Sequence, residues 1–355
     1  MKNNEYLITV LKGDGIGPEV IDESLKVLNA ICNVFNYNLK FQYEYIGGNA
    51  IEKFGISLPK KTIDNSLKSN AILLGSIGDP KYNINCNDTP ENGLLKLRSV
   101  MGTYCNIRPI KIYNNLAEKS CIKHNLIKNV DFIIYRELTG GIYFGEKKYD
   151  KEYAYDTCTY TYNEIERISH IAFRNAFKRK KQITLIDKAN VLSTSKLWRN
   201  VVSNIAEKYY SDIKVNYMFI DNAAMQMIIN PQQFDIILTD NMFGDILSDE
   251  ASALVGSLGL LPSSSIGNNI AIYEPVHGSY PEAAGKNIAN PIGSILSAAM
   301  MLYDFKLYKG YNAILSSVQN SIDNNIVTQD INSNSSYMTY DIGDYISNYI
   351  INNFK

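Results

Sequence analysis

Three times between residues 183 and 255 a short apolar run ends in a polar residue and gives way to a segment with helical spacing. Ile183 to Ile186 runs into Asp187 and Lys188, Val215 to Ile220 into Asp221, and Phe234 to Leu238 into Thr239, Asp240 and Asn241. Strands alternating with helices in this way build a mostly parallel α/β sheet with helices on both faces. Ligands of such sheets bind outside the carboxyl ends of the strands. Lys188, Asp221, Asp245 and Asp249 therefore belong to the edge where a site is expected.

The stretch Asn241 to Val255, NMFGDILSDEASALV, places Asp245 and Asp249 four residues apart, on one face of a helix. Like charges at that spacing repel by roughly 0.2–0.5 kcal/mol. Ile246, Leu247, Leu254 and Val255 predict that the helix packs into the protein. With no Cys or His nearby, oxygen ligands point to a hard divalent ion, Mg²⁺ or Mn²⁺. Taken alone, the spacing also fits an exposed acidic face.

At the start of the chain, the strand Tyr6 to Leu11 leads to a glycine turn, Gly13, Gly15 and Gly17. Pro18 then opens a helix whose apolar side includes Val20, Ile21, Leu25, Leu28 and Ile31. The Rossmann dinucleotide fingerprint fails here, since Pro18 stands at its third glycine and no acidic residue follows a second strand about 20 positions on. A long loop, Glu274 to Pro291, offers Gly278 and Gly285 for close backbone approach to a flat ligand. Its His277, Glu282 and Asn290 suit a base and a ribose. The Asn/Ser-rich stretch Ile331 to Ser336 reads as a solvated loop.

Composition narrows the function. Asn, Lys, Ile and Tyr are abundant and arginine is scarce, confined to positions 98, 108, 136, 167, 174, 179 and 199. Lysine cannot supply the planar fork that grips a carboxylate, so Arg98, Arg108 and Arg136 suggest a polyanionic small substrate, with internal ion pairs as the alternative. A length of 355 residues predicts two domains or one large α/β unit. The net charge of −1 gives no case for nucleic acid or an anionic membrane. No signal-peptide core and no apolar stretch near the roughly 18 residues of a membrane span are present, so the chain reads as soluble and cytoplasmic. Cys32, Cys86, Cys105, Cys121 and Cys158 form no CxxC pair and read as reduced thiols, mostly buried.

Several segments together carry a resemblance: GDGIGPEV at 13–20, PENGLLKLR at 90–98, NIRP at 106–109, RELTGGIYFGE at 136–146, DKANVL at 187–192, Asp221, NMFGDILSD at 241–249, GSLGLLPSSS at 256–265, and HGS to ANP at 277–291. In these the chain resembles, over nearly its whole length, the isocitrate/isopropylmalate dehydrogenase family of β-decarboxylating dehydrogenases, and within it the branch acting on 3-isopropylmalate. The resemblance implies two α/β domains that are not a Rossmann fold. One is a cofactor-binding domain of residues 1–103 and 256–355, and the other an inserted domain, 104–255, with metal and catalytic residues and a dimer interface. It further implies NAD-dependent oxidative decarboxylation of 3-isopropylmalate in leucine biosynthesis by a homodimer whose subunits share each active site.

On this pattern Arg98, Arg108 and Arg136 bind the substrate's carboxylates, and Leu94 and Leu95 face its isopropyl branch. Asp245 and Asp249 with a partner's Asp221 bind Mg²⁺ or Mn²⁺. Tyr143 and a partner's Lys188 are the acid/base pair, and Ile16, Glu91, His277, Gly278, Ser279, Glu282, Gly285 and Asn290 line the NAD cleft. Lys12, Tyr280, Glu282 and Ala284 depart from the family's usual residues, the last three at the cofactor. Three alternatives are another 2-hydroxy diacid (isocitrate, homoisocitrate, malate or tartrate), a non-catalytic regulatory subunit, and a metal-binding module without redox chemistry. An apolar pair at 94–95 suits an isopropyl group better than a third carboxylate, and the intact Tyr143, Lys188 and aspartates argue against a regulatory subunit.

Overall fold

The computed structural model describes residues 5–82, 88–120 and 122–355, without the side chains of 117–119. Cys86 and Cys121 lie outside the described residues. The chain divides into two compact units, Met1–Thr103 with Ser257–Lys355, and Tyr104–Gly256.

The first part of unit one comprises β1 (Glu5–Gly13), α1 (Gly17–Phe35), β2 (Asn38–Glu44), α2 (Gly48–Phe54), α3 (Lys60–Ser66), β3 (Ala71–Ser76) and α4 (Pro90–Met101). Unit two follows with β4 (Cys105–Lys111), α5 (His124–Ile127), β5 (Asp131–Glu137), the hairpin β6 (Lys147–Tyr149) and β7 (Ala154–Asp156), α6 (Tyr162–Phe177), β8 (Gln182–Asp187), α7 (Ser193–Tyr209), β9 (Lys214–Phe219), α8 (Ile220–Ile229), β10 (Ile236–Thr239) and α9 (Asn241–Val255). The chain then returns to unit one with β11 (Pro262–Ile266), β12 (Ala271–Pro275), α10 (Ile292–Asp304), α11 (Tyr308–Asp323) and α12 (Thr339–Asn353).

Strand order is β2-β1-β3-β12-β11 in unit one and β4-β5-β10-β8-β9 in unit two. In these two orders β11/β12 and β4/β5 are antiparallel and the other described pairs parallel, and the separate hairpin β6/β7 is antiparallel. This is the mostly parallel α/β architecture that the alternation predicts. The central strand β3 is buried at every position of AILLGS, as a strand covered on both faces must be. Helix α1 carries Pro18 in its first turn, buries Val20, Ile21, Leu25, Leu28 and Ile31, and is closed by Asn36 in the left-handed region (φ +56°). Thr161 and Glu164 form a reciprocal capping box at the start of α6, satisfying two otherwise orphaned N–H groups.

Register delivers the functional residues of unit two to one sheet edge. Asp187 of β8 pairs with Phe219 of β9, so Lys188 and Ile220 leave the sheet side by side. Thr239 of β10 stands opposite both Ile186 and Arg136.

Four details differ from the sequence reading. Ile220 and Asp221 begin α8 rather than ending a strand. Ile246 is 55% exposed, because α9 buries Leu247, Ala251 and Leu254 on its other side. Among the described cysteines Cys32, Cys105 and Cys158 are free thiols, and of these only Cys105 is buried. Ile331 and Ser335 of the Asn/Ser-rich stretch are buried, with the Ser335 hydroxyl donating to the Val327 carbonyl. Among the described residues no helix is long and apolar enough to cross a membrane.

The glycine turn after β1 is pressed against β3. A Cβ on Gly75 would lie 2.2 Å from the Lys12 carbonyl oxygen and 2.9 Å from Gly17 Cα. Gly75→Ala should therefore destabilise the protein by about 1–3 kcal/mol, the usual cost of overpacking. Differential scanning calorimetry measures this, and an unchanged melting temperature would show that the 12–17 turn moves without cost.

Candidate active site

Helix α9 is capped at its start by Asp240, whose Oδ1 accepts the Phe243 N–H at 2.9 Å. That start turns Asp245 and Asp249 toward two nearly buried arginines from neighbouring antiparallel strands. Arg136 donates from Nη1 to Asp245 Oδ1 at 2.6 Å and from Nε to Asn241 Oδ1 at 3.0 Å. Arg108 donates from Nε to Asn106 Oδ1 at 2.8 Å and from Nη1 to Ser248 Oγ and, at 3.3 Å, to Asp249. Gly244 makes the approach possible, since a Cβ there would lie 2.7 Å from Arg136 Cγ.

Part of the carboxylate repulsion is thus met within the chain. Asp249 is still pushed above the usual carboxylate range, first by partial burial and then by Asp245, with Arg108 opposing. Both acids keep an open side, 37% of the Asp245 side chain and 65% of Asp249 being exposed. The Tyr143 hydroxyl donates to Asp245 Oδ2 at 3.1 Å. Burial first, and then the charge of Asp245, push this phenol up, while Arg136 pulls the other way.

Lys188 and Asp221 form a separate pair, Nζ donating to Oδ1. This bond, more than any other influence, holds the Asp221 carboxyl below its ordinary range. The backbone beneath is fixed by buried Asp187, which accepts from Arg199 Nε at 2.6 Å, Arg199 Nη2 at 3.0 Å and the Ala189 N–H at 2.9 Å. Among the described residues no ion pair joins Lys188 or Asp221 to Asp245 or Asp249, and no three acidic, His or Cys side chains gather closely enough to hold a metal.

In unit one the glycine turn is tied to the 277–290 loop. The Ile16 N–H donates to the Ser279 carbonyl at 2.8 Å, the Gly285 N–H donates to Glu19, and Ile16 packs with Val20, Ala283 and Ala289. The buried Asp14 carboxylate accepts the N–H groups of Gly48, Asn49 and Gly78 at 2.9, 3.0 and 3.1 Å. His277 takes Nδ1 to the Gly278 carbonyl at 2.9 Å, while its buried Nε2 has no hydrogen-bond partner among the described residues. Burial lowers the imidazole pKa, with the Gly278 contact opposing.

Gly278 has open space where a side chain would be, and Glu282 and Gly285 are exposed. Tyr280 holds φ +39° and is 57% exposed, a conformation uncommon for a bulky residue. Asn290 is engaged structurally, donating to Asp330 at 3.1 Å and accepting the Ile292 N–H at 3.0 Å at the start of α10. On α4, Glu91 is exposed, Leu95 is half-buried and Leu94 packs on the core of Leu11, Leu74 and Leu97. Arg98 donates from Nη2 to Glu274 at 2.7 Å, and its buried Nε has no partner.

Sequence reasoning passed over Asp14, Glu137, Tyr160, Asp187, Arg199, Asn241 and Glu274, which hold these groups in place. Asp14, Glu137, Asp187 and Asn241 lie within quoted motifs, a signal that was available. Tyr160 carried none.

Asp240 is 9% exposed, and its pKa is pushed up to about 6, mainly by burial, with Glu137 and Asp187 adding and Arg136 opposing. An unfolded aspartate titrates near 3.9, so between about pH 4 and 6 the folded state binds the extra proton. This group's contribution to stability falls as pH rises through that window and is flat above it. Asparagine caps a helix as well as aspartate. Asp240→Asn should then stabilise the protein by about 1–3 kcal/mol at pH 7.5 and hardly at pH 4. Urea unfolding at both pH values measures this, and an equal effect at the two would refute it.

Residues 7–346 match the family described as isocitrate/isopropylmalate dehydrogenase. The 3-isopropylmalate dehydrogenase of Wolinella succinogenes is 51% identical over 300 residues, 84% of either chain. That of Sulfurimonas denitrificans is 46% identical over 350 residues, covering 97% of this chain and 98% of the relative. Among solved structures, isocitrate dehydrogenase from Methylococcus capsulatus superposes with a TM-score of 0.89 at 32% identity, over 98% of this chain and 99% of its own. With its mostly parallel α/β units and an arginine–aspartate cluster at one sheet edge, the chain belongs to the isocitrate/isopropylmalate dehydrogenase family.

Proposed function

We propose that the chain catalyses NAD-dependent oxidative decarboxylation of 3-isopropylmalate to 4-methyl-2-oxopentanoate and CO₂, as a cytoplasmic homodimer serving leucine biosynthesis. The observation that carries this reading is the convergence of Arg108, Arg136 and the Tyr143 hydroxyl on Asp245 and Asp249. Arg108 and Arg136 grip a substrate carboxylate through their forks, Arg98 adds a third cation, and Leu94 and Leu95 take the isopropyl branch. Lys188 accepts the C2 hydroxyl proton as hydride leaves. Tyr143, a phenol protonated at neutral pH, delivers a proton to C3 after CO₂ departs.

The donor set suits Mg²⁺ or Mn²⁺, two hard carboxylates one helical turn apart with open faces. Asp245, Asp249 and Asp221 of the partner subunit would hold the ion. When bound, it polarises the oxygen on C2. Taking Asp221 and Lys188 from a second copy agrees with their lying apart from Asp245 within one chain. In unit one the unpartnered His277 Nε2 and the open side of Gly278 suit a nucleotide, with Ile16, Glu91, Ser279, Glu282, Gly285 and Asn290 completing the cleft. Bound NAD⁺ supplies the hydride acceptor, and the Glu282 carboxylate accepts bonds from ribose hydroxyls but repels a 2′-phosphate.

Absorbance at 340 nm tests the reading. Activity should need a divalent metal, prefer NAD⁺ to NADP⁺, and favour 3-isopropylmalate over isocitrate by several orders of magnitude, because isocitrate's third carboxylate meets leucines without a partner. Full turnover after exhaustive chelation, or equal kcat/KM for both acids, would overturn it.

Shared sites make a second prediction. Lys188→Ala and Asp245→Asn homodimers should each be inactive, whereas their mixed dimers regain part of the activity through one site free of both lesions. Verified mixed dimers without activity would place each site within a single chain.

A further inference from the structure

The side chain of Asn241, 1% exposed, is shared between two pieces of the site. Its Oδ1 accepts Arg136 Nε at 3.0 Å and its Nδ2 donates to the Gly140 carbonyl at 3.1 Å, while its own N–H donates to the Tyr160 hydroxyl at 2.9 Å. Arg136 faces Asp245 with Nη1. Gly140 leads into the turn 141–145, closed by the Phe144 and Gly145 N–H groups on the Gly141 carbonyl, and this turn carries Tyr143.

The surroundings leave no slack. Glu137, completely buried, takes the N–H groups of Thr139 and Gly140 at 2.9 and 2.6 Å. A Cβ on Gly141 would lie 2.2 Å from the Tyr160 hydroxyl. Arg136 Nε offers only a donor and the Gly140 carbonyl only an acceptor. An amide satisfies both, whereas a carboxylate or an aliphatic side chain of similar size cannot.

We propose that Asn241 is a positioning residue that couples the substrate-gripping Arg136 to the turn presenting Tyr143, aligning the held carboxylate and the proton donor with each other. The inference rests on the reaction proposed above and adds a separate claim about its second half. Asn241→Asp keeps an acceptor for Arg136 and loses the donor to Gly140. Asn241→Leu loses both.

The test measures kcat, KM for 3-isopropylmalate and the solvent deuterium isotope effect on kcat, which reads the proton transfer to C3, with Mn²⁺ and NAD⁺ saturating. Asn241→Asp should hold KM within about threefold and lower kcat about tenfold, the scale of one buried hydrogen bond broken, with a larger solvent isotope effect as C3 protonation becomes limiting. Asn241→Leu should in addition raise KM about tenfold. A residue that merely supported the fold would reduce the active fraction and leave KM and the isotope effect unchanged, and that result would overturn the proposal. So would variants indistinguishable from the parent. If Asn241→Leu does not fold, the isotope effect of Asn241→Asp decides alone. A parent enzyme that turns over no 2-hydroxy diacid removes the reaction and this inference together, whereas an active parent with unaffected variants removes only the inference.

Discussion

Two nearly buried guanidinium groups facing a carboxylate pair one helical turn apart are the constraint around which unit two is arranged. The arginine side is not stable alone, because a buried guanidinium without a counter-charge carries a large electrostatic penalty, while the partly open carboxylate pair adds a smaller repulsion of its own. Meeting that condition demands two strands in antiparallel register, Asn106 opposite Arg136, and a helix that passes close enough to need glycine at position 244. The resulting cluster is nearly balanced in charge. A dicarboxylate and a divalent cation entering together preserve that balance, whereas either alone disturbs it.

The fold was legible because its signals are local. Apolar runs, the Pro18 helix start and the glycine turn depend on a few neighbouring residues, and all appear near their expected places. Boundaries moved where two signals overlapped, as at Ile220, whose apolar side chain extends a strand pattern while the chain has already turned into α8. Ile246 misled in the same way, since an apolar residue adjoining a buried row need not belong to it. In the site, residues with distinctive chemistry could be read, because few side chains replace an arginine fork or a paired carboxylate. The supporting residues could not. Tyr160 and Glu137 look ordinary in sequence, and their importance arises from contacts with residues 81 and 30 positions away, respectively Asn241 and Arg167.

Unit one builds its candidate cleft by a different device. There the backbone supplies much of the polarity, and side chains such as Asp14 and Glu19 hold the loops by accepting their N–H groups. This explains why glycine and small residues dominate the motifs, and why departures at 280, 282 and 284 are accommodated. Of these three positions, Tyr280 projects outward and Glu282 and Ala284 lie exposed, so none disturbs the anchoring bonds.

Arginine scarcity does not by itself separate ligand-facing arginines from structural ones. Arg98, Arg108, Arg136, Arg167, Arg179 and Arg199 each pair with a carboxylate. The distinction lies in what the partner carboxylate can still reach. The acids facing Arg98, Arg167 and Arg199 have side-chain exposures of 8%, 0% and 2%, so those pairs are closed. Asp245 and Asp249 remain 37% and 65% exposed, leaving Arg108 and Arg136 in a cluster that solvent, and hence a ligand, can enter. By this criterion Arg98 belongs with the structural arginines, its partner Glu274 and its own Nε both being buried. Exposure of the opposing acid is informative only together with place in the sheet, since Asp131, 51% exposed against Arg179, opens the opposite end of β5 from Arg136.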